Sequence, residues 1–173
     1  MLILGIDTAT PYLVLGLPTA ERAVRLERRH AEVLWSELED FLRQNSVDRS
    51  GLEAIAVGQG PGSYTGLRVG VSAGLGLARG LGVPVVGVST LHAVGLRYSR
   101  RVMVAHTTRN GLCYAATYDG TLEVSPPRKV QLSELEASNG LLSLDEPPSG
   151  KAMARLAAAA LISGEPKIEP VYL

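Results

Sequence analysis

From Ala54 to Gly82 the chain reads Ala-Ile-Ala-Val-Gly-Gln-Gly-Pro-Gly-Ser-Tyr-Thr-Gly-Leu-Arg-Val-Gly-Val-Ser-Ala-Gly-Leu-Gly-Leu-Ala-Arg-Gly-Leu-Gly. This run constrains the fold more than any other. Residues 53–58 form a short buried strand, Gln59 to Gly66 a Gly-rich turn, and the segment to about Leu81 a helix. The glycines permit close backbone approach, and the turn opens directly into a helix N-terminus. Two readings follow. The unpaired N–H groups of that terminus can hold a phosphate, or Ser63 or Thr65 can cap the helix with no ligand at all. The turn is no Walker loop, because Gly66 is followed by Leu67, and no dinucleotide fingerprint, because Ser63 stands where the third glycine belongs. Pro61 and Thr65 replace the glycines of a hydrolase nucleophile elbow around Ser63.

The helix itself is apolar nearly all round. Arg68, Ser72 and Arg79 share one stripe about 40° wide at 100° per residue. Almost everything else is Leu, Val, Ala or Gly. Each mid-helix glycine costs about 1 kcal/mol relative to Ala, so close packing should give something back. A helix against a sheet needs one apolar face; a second must be covered by the rest of the chain or by a partner.

Around this unit the pattern predicts a hairpin, Leu2–Ile6 and Tyr12–Leu17, about the turn Asp7-Thr8-Ala9-Thr10-Pro11, with a third strand near Ala23–Leu26. Helical spacing puts Ala31, Leu34, Trp35, Leu38, Phe41 and Leu42 on one arc of a helix from His30 to Gln44. Residues 83–88 form another strand, and Ser89 or Thr90 caps a helix reaching about Tyr98. The order β-β-β-α-β-α-β-α implies an α/β protein with a mixed sheet flanked by helices. Beyond it, Arg101–Ala105 and Leu112–Tyr118 are expected strands. Residues 125–150 are rich in Pro, Ser and acids, with a short helix near 133–137, and 151–162 are helical. No internal repeat shows in the sequence. We therefore expect a first lobe at 1–98 and a smaller, shortened second lobe at 99–173.

Composition narrows the function. Seventeen basic and 17 acidic residues cancel, so the chain lacks the excess with which a protein grips a phosphate backbone unaided. Three histidines, His30, His92 and His106, and one cysteine, Cys113, make an all-protein metal cage a poor expectation. No apolar run nears the roughly 20 residues that span a bilayer. A reducing, cytoplasmic setting is expected. Asp7 and Thr8, at the end of the first strand, could position a cation or phosphate, or simply form the turn.

Four strings together resemble one family. Gly-Ile-Asp-Thr-Ala-Thr (5–10), Arg-Arg-His-Ala-Glu (28–32), the long run at 55–70 and Val-Pro-Val-Val-Gly-Val-Ser-Thr-Leu (83–91) are similar to the TsaB (YeaZ) family, as is the closing Pro170-Val171-Tyr172-Leu173. The resemblance implies an actin-like ATPase fold of two ribonuclease-H-like lobes. It further implies a non-catalytic relative of TsaD, the enzyme that places threonylcarbamoyl on the adenosine beside the tRNA anticodon. The implied partners are a TsaD-like catalytic subunit and a TsaE-like ATPase, with a homodimer in isolation, tRNA met only indirectly and no membrane. The interface would lie on helices 30–44 and 66–81, through His30, Val33, Gly66, Val69, Gly70, Ala73, Gly74 and Leu77. A phosphate contact would use Asp7, Thr8, Gly60, Gly62 and Ser63, and the resemblance leaves room for ATP or ADP at the partner interface. TsaD carries a metal-binding His-x-x-x-His where this chain has Thr90 and Val94, with His92 out of register. The family's Asp-Ala-Arg turn is here Ala105-His106-Thr107-Thr108-Arg109, in which only Arg109 corresponds. Two rivals stay open: a stand-alone ATP- or metal-dependent enzyme of the same superfamily, and a homodimeric nucleotide-binding module.

Overall fold

The computed structural model describes the chain except residues 27–28, 109–110, 137–139, 165–166 and 172–173, and gives only the backbone of His30 and Glu136. The first stretch folds as β1 (Ile3–Asp7), β2 (Tyr12–Gly16), β3 (Glu21–Arg25), α1 (His30–Gln44), β4 (Ala54–Gly58), α2 (Tyr64–Leu81), β5 (Val85–Val88) and α3 (Thr90–Gly95). The second follows as β6 (Val102–Thr107), β7 (Leu112–Asp119), β8 (Leu122–Gln131), α4 (Leu132–Glu136), β9 (Leu142–Leu144) and α5 (Gly150–Ser163).

The first sheet has the order β3-β2-β1-β4-β5. β1 pairs antiparallel with β2 and parallel with β4, and β4 parallel with β5. β1 and β4 are buried along their whole length, as parallel strands covered on both faces must be, so each is an unbroken apolar run. Alternation within the run decides which helix each residue meets. Leu4, Ile6, Ile55 and Val57 face Leu34, Leu38, Phe41 and Leu42 of α1 and Ala78 of α2. Ile3, Ala54, Ala56, Val86 and Val88 face the other way, onto Ala152, Met153, Ala154 and Ala157 of α5.

The second sheet, β8-β7-β6-β9, repeats the topology of the first. β6 is antiparallel to β7 and parallel to β9, as β1 is to β2 and β4. The repeat is one of topology alone, which is why the sequence shows none. It is abridged in the second half: α4 has 5 residues against 15 in α1, and β9 leads to α5 with no counterpart of α2 and β5 between.

The helices are exchanged between the halves. α3 packs Leu91 and Val94 on Val102, Val104, Ala116 and Tyr118 of the second sheet, while α5 returns to the first. The contact is close: a Cβ on Gly16 of β2 would collide with the Gly150 backbone, and one on Gly150 would stand 2.5 Å from Leu15 O. Ser149 caps α5 by accepting from Ala152 N at 3.2 Å and donates to the Glu21 carboxylate at 2.7 Å. The first sheet is built within residues 1–98 and the second within 99–173, while α5, from the second stretch, completes the core of the first.

β8, the longest strand, departs from expectation. It runs through Pro126 and Pro127, where the sequence reading places no strand. Strand β8 is an edge, where a missing N–H is tolerated, and its pairing with β7 slips in register beside the prolines. Among the described residues no helix is long and apolar enough to cross a membrane.

The exchange makes a test. Residues 1–98 alone would leave Ile3, Ala56 and Val86 bare, so we expect no cooperative thermal transition by circular dichroism and strong binding of a hydrophobic dye. The full chain should show one sharp transition.

Candidate functional site

The turns leaving β1 and β4 meet at the carboxyl ends of the first sheet, where α/β sheets usually bind ligands. Asp7 is fully buried. Its Oδ1 accepts from Ala9 N at 2.8 Å and its Oδ2 from the Thr90 hydroxyl at 2.6 Å. A Cβ on Gly58 would collide with that carboxylate, so Gly58 is what lets Asp7 lie between the strands. Thr90 Oγ1 also accepts from Gly60 N at 3.2 Å, and Thr90 N donates to Gly60 O at 2.9 Å. Thr8 donates its hydroxyl to Gly66 O at 2.6 Å, and Ser63 N donates to Ala9 O at 2.7 Å.

Asp7, Thr8, Gly60, Gly62 and Ser63 thus lie together, tied through Ala9, Gly66 and Thr90. Ser63 caps α2, its Oγ accepting from Gly66 N at 3.2 Å. Side chains at Gly62 and Gly66 would collide with the carbonyls of Ala9 and Thr8. The capping reading has its hydrogen bond in place, and the space under Gly62 and Gly66 is filled by Ala9 and Thr8. Thr90 is the member that the sequence did not place here: it reads there as a cap alternative to Ser89 and as the position answering to a TsaD histidine. Ser89 is the cap, accepting from His92 N at 3.3 Å.

The positions that answer to the TsaD histidines are both interior. Thr90 holds Asp7, and Val94 packs in the core under the second sheet. His92, between them, stacks on Tyr118 with ring centroids 4.6 Å apart and planes 7° from parallel. Burial lowers the His92 pKa below its ordinary value, against the pull of a hydrogen bond to the Gly120 backbone. Burial also pushes the Tyr118 phenol up to about 12, outweighing its Ser89 contact. On β6, His106 is buried with Nδ1 3.9 Å from the Asp145 carboxylate, which accepts from Thr107 N at 2.7 Å. Arg109, Arg28 and the closing Tyr172-Leu173 lie outside the described residues.

On α2 the expected partner-facing set needs correction. Gly66, Gly70 and Gly74 face inward. Side chains there would collide with Thr8 O, Thr8 Oγ1 and Val57 Cγ1, so these three glycines serve this chain's own packing. Val33, Val69, Ala73 and Leu77 are half-buried, and the side chain of His30 lies outside the described residues. The exposed side is one step round the helix. It carries Tyr64 (59% exposed), Arg68, Ser72, Leu75 (44%), Gly76, Arg79 and Gly80. Arg68 lies over the Tyr64 ring at 5.5 Å, and both line a shallow depression with Thr65, Val69 and Ser72. A Cβ at Gly76 or Gly80 would meet nothing within 4 Å beyond its own helix. Among the described residues the second lobe does not cover this side. On α1, Ala31 and Trp35 (48% exposed) form the uncovered margin of the apolar arc.

A family model described as TsaD, tRNA N6-adenosine threonylcarbamoyltransferase, matches residues 24–168. The tRNA threonylcarbamoyladenosine biosynthesis protein TsaB of Escherichia coli is 35% identical over 127 residues, 68% of this chain and 55% of that protein. An uncharacterised Mycobacterium leprae protein is 28% identical over 180 residues, 99% of this chain and 47% of its own length. The chain therefore spans about half the length of these curated relatives. The solved structure of YeaZ from Pseudomonas aeruginosa superposes with a TM-score of 0.83 at 25% identity, over 99% of both chains. With two mixed sheets flanked by helices, this is the α/β fold of the actin-like ATPase, ribonuclease-H-like type.

Two outcomes test the site as described. Gly58→Ala should lose about 2–3 kcal/mol in denaturant unfolding, because its methyl group must displace the Asp7 carboxylate. For His92 the folded pKa lies below the ordinary 6.5, so its contribution is complete above that value and drains as pH falls through the folded pKa. The melting temperature should drop on acidification from pH 6.5, and His92→Phe should flatten that part of the slope.

Proposed function

The chain belongs to the TsaB (YeaZ) family, within the wider TsaD group whose model spans most of it, and on that footing we propose that it is a cytoplasmic, non-catalytic subunit in the formation of threonylcarbamoyladenosine in tRNA. Its work is to dock the exposed sides of α2 and α1 on a TsaD-like catalytic subunit and so support that enzyme.

The observation that carries this reading is the pair Gly76 and Gly80. A mid-helix glycine in open space costs about 1 kcal/mol relative to Ala and returns nothing to the monomer. Three other α2 glycines are explained by contacts within the chain; these two are not. With Leu75 and Tyr64 they flank the Arg68, Ser72 and Arg79 stripe on a side where another backbone can approach closely.

A non-catalytic role is supported by the interior positions of Thr90 and Val94, where a metal-binding pair would have to reach out of the core. The zero net charge supports a subunit that leaves the tRNA to its partner. In the same reading a TsaE-like ATPase joins the pair, and two copies meet through this face when the partner is absent. A nucleotide, where one enters, belongs at the partner junction, since the Asp7 carboxylate is turned to Ala9 and Thr90.

The test is a calorimetric titration of the chain with the TsaD-type subunit of its own organism. Gly76→Ala and Gly80→Ala should each stabilise the monomer by up to about 1 kcal/mol yet weaken the complex, and Leu75→Asp should abolish it while leaving the fold intact. Substitutions that stabilise the monomer and bind the partner undiminished would sink the docking reading.

A further inference from the structure

Beyond α5, residues 167–171 lie against the β5 edge of the first sheet and reach the face that α2 covers. Lys167 O accepts from Gly87 N at 2.8 Å, on the side of β5 turned away from β4. Ile168 then packs into the core shared by α1 and α2. Glu169 N donates to the Gln59 side-chain oxygen at 2.9 Å, and Val171 N donates to Gln59 O at 2.8 Å.

Gln59 is the first residue of the Gly-rich turn, so this segment grips the turn where it departs from β4. The grip is built from both sides. Gly87 leaves the space that the Gln59 amide and Lys167 O occupy; a Cβ there would collide with the first and stand 2.7 Å from the second. A Cβ on Gly60 would stand 3.1 Å from Val171 O and 3.2 Å from the Leu67 side chain, at the start of α2. From the opposite side Thr90 holds Gly60 by two hydrogen bonds. The turn is therefore clamped between α3 and the returning segment.

We infer that residues 167–171 are a strap whose role is to fix the Gly-rich turn, and through it the pitch at which α2 presents its exposed side. Its consequence for partner binding rests on the docking reading above; its hold on the turn does not. Among the described residues nothing else pairs with the outer edge of β5, and the two backbone bonds and the bond to the Gln59 side chain are of a kind that local opening breaks without global unfolding.

Hydrogen–deuterium exchange decides it. The full chain is compared with a chain ending at Gly164 and with Gly87→Ala, which keeps the segment but expels it from its seat. If the shortened chain fails to fold, Gly87→Ala alone decides. The amide at position 87 should exchange at least about tenfold faster in both variants, with the amides of Gly60, Ser63 and Gly66 following and those of β1 and β6 unchanged. Affinity for the TsaD-type subunit should fall by a similar factor. An unchanged amide at 87, or a faster one with Gly60 to Gly66 unaltered, overturns the strap. Faster exchange across the turn with undiminished affinity overturns its link to docking. A full-length chain that binds no TsaD-type subunit refutes the docking reading, and the strap is then judged on exchange alone.

Discussion

Everything at the working end of this molecule depends on how near α2 is allowed to come to β1. Five residues without side chains, Gly58, Gly62, Gly66, Gly70 and Gly74, bring strand, turn and helix against the Asp7 and Thr8 side chains, the Thr8 and Ala9 carbonyls and the Val57 side chain. At that separation Thr8 reaches the first turn of α2, and Asp7 reaches Thr90 at the start of α3. One dipeptide thereby orients two helices, one that shows its outer side to solvent and one that carries the chain into the second sheet. The loop at the carboxyl ends of the strands thereby ties β1, α2 and α3 together.

The second principle is exchange. Each sheet is backed by a helix from the other half, α3 on the second and α5 on the first, so neither half has a finished core by itself. The abridgement of the second half falls where it does least harm to this arrangement. What is missing is a counterpart of α2 and β5, the pair that in the first half makes an outer face and an edge. The pieces that build the shared middle are kept.

How much of this could be read in the residues depends on what kind of information each feature carries. The Ser63 cap, the α1 arc and the strand–turn–helix at 54–82 were legible because they are local, set by spacing and by single residues. The direction in which each α2 glycine points was not, since the helix is apolar all round and periodicity has no contrast to work with. Only the neighbouring atoms separate Gly70, which Thr8 demands, from Gly76, which nothing in this chain demands. Thr90 was overlooked because its partner Asp7 lies 83 residues away. Strand β8 was obscured by Pro126 and Pro127, which edge position excuses and sequence cannot. The topological repeat lies in strand order alone, and no pair of residues need match to preserve it.

The Gly16–Gly150 contact also has a temporal side. β5 is complete at Val88, but the helix that seals the back of its sheet ends only at Ser163. At roughly 5–20 residues per second, a ribosome takes about 4–15 seconds to supply the difference. For that interval Ile3, Ala56 and Val86 present a sticky nascent surface, which makes the growing chain a natural client for holding chaperones until α5 arrives.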